Sequence, residues 1–165
     1  MNKINLKLLA DYLLANNEQL IKNHAFSMQF YRSTWVEWER EHSRKGSDPH
    51  CGTAGCAIGH GPGSKIPQLK ESEEDFIPNG VGFSWDIYAG RVFGLRPGED
   101  DSEGEWDWCF SCDWTSYDNT PKGAAIRILF LLEHNPSETE DEEFMEPSEE
   151  KVEIYTKWYE GLNHG

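Results

Sequence analysis

Thr120-Pro121 constrains the fold of this chain most sharply, because threonine at a helix N-cap followed by proline at the first helical position is a start signal written in local chemistry. Ala124, Ala125, Ile128, Leu129 and Leu132 continue an apolar stripe at helical spacing to about Glu133, where His134-Asn135-Pro136 stops it. A second stripe of Ile4, Leu6, Leu8, Leu9, Tyr12, Leu13, Leu20 and Ile21 predicts an N-terminal helix from about Ile4 to Lys22, with Asn5 as cap if the start is late. Ser84 as cap and Gly94 as closing residue bracket a third helix carrying Trp85, Tyr88, Val92 and Phe93. Shorter signals predict a helix around Trp106 to Ser111 and a last one from about Ser148 to Leu162.

The fold class expected is therefore mainly α: a single compact helical domain, with a small β element near residues 26–36, where aromatic residues alternate imperfectly. Residues 1–136 read as the globular domain, 137–148 as an acidic linker, and 149–165 as a C-terminal helix packing on the same domain. At 165 residues the chain is long enough to bury a core without disulfides. Its N-terminal segment threads polar residues through apolar ones, unlike a signal sequence, and no stretch is long enough to span a bilayer, so a cytoplasmic protein is expected. Cys51, Cys56, Cys109 and Cys112 then read as thiols or ligands.

The formal net charge is −15, and it is unevenly placed: residues 1–70 hold nine Lys/Arg against six Asp/Glu, while residues 71–165 hold six against 24. Such acidity repels phosphate backbones and argues against direct nucleic-acid binding, whereas it suits solubility or attraction to a basic protein partner.

Chemistry-bearing residues concentrate in His50-Cys51-Gly52-Thr53-Ala54-Gly55-Cys56-Ala57-Ile58-Gly59-His60. If Thr53 to His60 turns as a helix, ended by Gly61-Pro62-Gly63-Ser64, Cys56 and His60 share one face at i and i+4, with His50 and Cys51 at its N-terminal mouth. Several accounts stand open. Cys51, Cys56, His60 and His50, with Cys109 or Cys112, offer soft ligands to zinc, although Cys51-x4-Cys56 is loose for a paired zinc turn and Cys109 equally suits a helical core strip. Cys51 at a helix N-terminus, with His50 or His60 as base and Asp48, Asp86, Asp113 or Asp118 as orienter, has the ingredients of a nucleophilic thiol. Gly52 and Thr53 at the helix mouth, with Arg91, Arg127 or Lys122, would suit a small anionic ligand. The glycines and alanines also serve plain close packing.

The order of HCGTAGCAIGHG, SWDIYAGRVFGL, WDWCF and DNTPKGAAIRILFLLE, spanning about residues 50–134, resembles a family of small proteins, without established biochemical activity, found mostly in bacteriophages and some bacteria. Cys51, Cys56 and His60 fall within the motif carrying that resemblance. Cys109 and Cys112 are peculiar to this chain, which counts against their being essential ligands. The resemblance implies an accessory role such as modulating a host factor or blocking a defence. The expected function is thus non-catalytic binding of a host protein or small anionic ligand, with no resident cofactor, by a scaffold whose Trp-rich surface and acidic loops form the contact face, although most of the seven tryptophans read more simply as core. A Cys- or zinc-dependent hydrolase using HCGTAGCAIGH is the alternative.

Overall fold

Leu6, Leu9, Ala10 and Leu13 fall at i, i+3, i+4 and i+7, and all four are buried, which fixes how the N-terminal part of the chain lies. In this computed structural model, which describes residues 1–23, 26, 57–70, 88–95, 105–134 and 147–163, they belong to helix α1 (Lys3–Ala15). Asn2, and not Asn5, caps it, its side chain accepting from the Asn5 N–H at 3.2 Å. Asn5 lies inside the helix and donates its side-chain amide to the Val92 carbonyl at 2.7 Å. The single helix expected over Ile4 to Lys22 is two helices: Asn16 leaves helical geometry at φ −109° and ψ 8°, and its side-chain Nδ2 turns back to the Tyr12 carbonyl at 2.8 Å. The chain restarts as α2 (Asn17–Lys22).

The end of the HCGTAGCAIGH segment also differs from expectation. Ala57 to Gly59 form a turn, and the helix α3 (His60–Gly63) begins where the expected one was to end. Pro62 is compatible with that placement because the first helical turn leaves its N–H groups unpaired in any case. A 3-10 turn (Pro67–Leu69) follows. Of the helix expected at 84–94, the part described runs from Tyr88 and winds as a π-turn (Ala89–Phe93), closed as anticipated by Gly94 in the left-handed region at φ 64°.

Helix α4 (Glu105–Phe110), a 3-10 turn (Cys112–Ser116), α5 (Pro121–His134) and α6 (Glu149–Asn163) complete the order. Helix α5 packs against α1, α2, α4 and α6 and is buried on almost every side, as a central helix must be. Its start is satisfied twice over: Thr120 Oγ1 accepts from the Gly123 N–H at 2.9 Å, and Asn17 Oδ1 of α2 accepts from the Lys122 N–H at 3.0 Å.

The protein is mainly α, and among the described residues there is no strand. Of the expected β element only Phe26 is described, as a single bridge position, and most of the acidic linker, residues 137–146, lies outside the described residues. No helix among the described residues is long and apolar enough to cross a membrane.

The Trp-rich contact face requires correction. Trp106, Trp108 and Trp114 are core residues: Trp108 meets Trp114 edge-on at 5.5 Å and Phe130 at 5.8 Å, and its indole N–H donates to the Arg127 carbonyl at 2.8 Å. Trp158 is half-buried against Phe130 and His134. Trp35, Trp38 and Trp85 lie outside the described residues.

Candidate functional site

Among the described residues, a cluster of bonded polar side chains is organised by the start of α5. Thr120 donates its hydroxyl to Asp118 Oδ1 at 2.8 Å, which folds the Asp118 side chain back over the helix N-terminus, where a carboxylate is favoured by the helix dipole. Residue 123 must then be glycine, because a Cβ there would collide with the Asp118 carboxylate. From α6, the Tyr155 hydroxyl donates to Asp118 Oδ2 at 2.6 Å.

Arg127 lies one to two turns further along α5 and has no exposed surface. Trp114 lies over its guanidinium at 4.4 Å. Its Nη1 donates to the Asp118 main-chain carbonyl at 3.4 Å and stands 3.9 Å from the Asp118 carboxylate, a separation that gives charge compensation without a close hydrogen bond. Burial pushes the guanidinium below its ordinary pKa, while neighbouring Tyr155 and Asp118 hold it up, and an arginine so placed keeps its charge. The same burial raises the Tyr155 phenol; Arg127 opposes the rise and Asp118 adds to it. Nε and Nη2 of Arg127 have no hydrogen-bond partner among the described residues, nor has the buried Thr115 hydroxyl. A buried donor left unpaired costs about 1–3 kcal/mol, so this is an expensive arrangement.

His60 belongs to a different setting. It is half-buried, stacked on Phe26 at 5.7 Å and 12° and tilted against Tyr12 at 6.3 Å. Beside it the Tyr88 hydroxyl lies against Gly61 and donates to the Leu69 carbonyl at 2.7 Å. Ala57 and Ile58, the preceding residues of the motif, are core residues.

Of the residues singled out in the sequence, His60, Arg91, Cys109, Asp113, Asp118, Lys122 and Arg127 are described, whereas His50, Cys51, Gly52, Thr53 and Cys56 lie outside the described residues, as do Asp48 and Asp86. Arg91 is exposed on the π-turn and Lys122 on α5. Asp118, considered as a histidine orienter, is instead shared by Thr120, Tyr155 and Arg127. Asp113 is exposed and bonded within its own turn to Ser111. Cys109 is fully buried, and burial raises its thiol well above the ordinary range, so it behaves as the small hydrophobe the core-strip account describes. Among the described residues no three His, Cys, Asp or Glu side chains converge as a metal site requires.

Sequence reasoning had Arg127 but not its surroundings. Asp118-Asn119-Thr120-Pro121 is a local capping signal and was open to reading, whereas Tyr155 meets Asp118 across 37 positions, and no local pattern announces such a contact. No known protein family, no curated protein and no solved structure matches this chain.

Proposed function

We propose that this protein works by binding and not by catalysis, as a small acidic accessory protein of phage type acting in the bacterial cytoplasm on a host protein or a small anionic ligand. The observation that carries the reading is the placement of charge: the −15 formal charge accumulates after residue 70, and Glu149, Glu150, Glu153 and Glu160 of α6 are exposed. Long-range attraction of that kind steers a basic partner and weakens with salt, since exposed charges are screened within about 8 Å at physiological ionic strength.

The test is retention of bacterial proteins on the immobilised full chain at low and high salt, with E149Q/E150Q/E153Q/E160Q as control. A specific basic protein held by the wild type, released by salt and poorly held by the quadruple variant is the expected result. Equal retention by both chains would sink the acidic-face reading.

A second reading, a Cys- or zinc-dependent hydrolase using Cys51, Cys56, His50 and His60, draws support from the motif's ligand density and from the His60 ring held between Phe26 and Tyr12. It requires near-stoichiometric metal by mass spectrometry of protein purified without a tag or chelator, or a hydrolytic activity lost in C51S while the circular-dichroism spectrum is kept.

A further inference from the structure

Arginine presents two donor pairs suited to an oxyanion, and in Arg127 the side-on pair is the unused one. Nη1 is engaged with Asp118, while Nε and Nη2 have no hydrogen-bond partner among the described residues, although the side chain is wholly buried. Asp118 is not free to swing to that edge, since Oδ1 takes the Thr120 hydroxyl and Oδ2 the Tyr155 hydroxyl. Trp114 occupies one face of the guanidinium, which fixes the plane of the fork. The Thr115 hydroxyl, in the same 3-10 turn as Trp114, is likewise buried without a partner.

A planar Nε/Nη2 pair matches two oxygens of one carboxylate or phosphate group, and a buried fork gains most from filling both bonds at once. We infer that this edge of Arg127 is an oxyanion site, taking a carboxylate or phosphate group side-on, and that α6 is its cover. Tyr155, which has no exposed surface, lies edge-on to Trp114 at 6.0 Å, so the ligand enters when the tyrosine's bond to Asp118 opens and α6 shifts. The inference rests on the small-anion half of the proposed function and gives it a place in the fold.

Arginine Nε–H NMR of the full chain, titrated with inorganic phosphate against chloride at matched ionic strength, tests it. The Arg127 signal, assigned by its disappearance in R127K or, should that variant not fold, by through-bond connection to its backbone, is expected to shift saturably with phosphate and not with chloride. The melting temperature of the wild type is expected to rise in parallel. Y155F removes the hydroxyl's tie to Asp118 together with its interaction with the Arg127 guanidinium, and leaves Nε and Nη2 as they are; it should speed the response roughly tenfold, the effect of losing one hydrogen bond to a charged group. An unmoved Nε–H signal, an equal response to chloride, or a hydrogen-bond coupling showing that a carboxylate of this chain already fills the fork would each overturn the site. A silent phosphate titration leaves the acidic-face reading untouched, because that is scored by protein retention and the glutamate variants.

Discussion

Helices α1 and α6 both lie against α5, yet they are fastened by different physics. Helix α1 inserts Leu6, Leu9 and Leu13 with no exposed surface, each burial contributing about 1.5–3 kcal/mol without regard to direction. Helix α6 has Tyr155 as its buried side chain among the described residues, and Val152, Trp158 and Tyr159 are only partly covered. Its buried side chain also makes a directional bond, from the Tyr155 hydroxyl to Asp118. Apolar area seats α1 on α5, whereas α6 adds a directional bond to the packing of its Tyr155 and Trp158 rings.

Leu9→Ala is the severest test of that contrast and should cost about 2–5 kcal/mol, read as a lower urea midpoint for the whole chain. Loss confined to α1, with the remainder still folded, would break the comparison. Tyr155→Phe should cost about 1–3 kcal/mol by orphaning one bond of Asp118, and hydrogen exchange should show faster opening in α6 with α1 unchanged.

Alkaline pH sharpens the contrast further. An unfolded tyrosine loses its proton near pH 10, whereas folded Tyr155 keeps it, so above that pH the unfolded chain binds fewer protons and stability falls, by at most about 1.4 kcal/mol per pH unit for this group. The Cys109 thiol and the Tyr12 phenol are raised by burial and bend the curve in the same direction. Y155F should therefore flatten the loss measured by urea unfolding across pH 9 to about 11 without abolishing it. The smallest effects belong to the exposed pairs Lys7–Asp11 of α1, at 2.8 Å, and Lys157–Glu153 of α6, at 2.6 Å. D11N and E153Q should leave urea midpoints indistinguishable from the wild type, since such pairs sit in water on both helices alike.

What the sequence disclosed and withheld follows the range of the forces involved. The start of α5, the Glu105–Phe110 helix, the Gly94 stop and the Ser148 start of α6 rest on groups within a few positions of one another, and each was readable. The break at Asn16 was hidden because the apolar stripe runs on through it; the non-helical backbone of Asn16, with its side-chain amide turned back to Tyr12, separates α1 from α2. A tryptophan count does not say whether indoles face solvent or core, and Trp106, Trp108 and Trp114 went inward because Phe110, Phe130 and Tyr155 supplied ring edges to pack on. Arg127 was legible as a cation and illegible as a buried one: Ile126 and Ile128 flank it in the apolar run, but only the fold supplies Trp114 and Tyr155.

The bond between Asn17 and the Lys122 N–H joins positions 105 apart, so the first helices made wait for a partner made much later. Synthesis at about 5–20 residues per second leaves the leucines of α1 without α5 for roughly 5–20 s after they are added. During that interval they form an apolar strip on a nascent chain, open to chaperones and to neighbouring copies. The same leucines that anchor the finished core are thus the surface that has to be kept from the wrong partner until α5 exists to cover it.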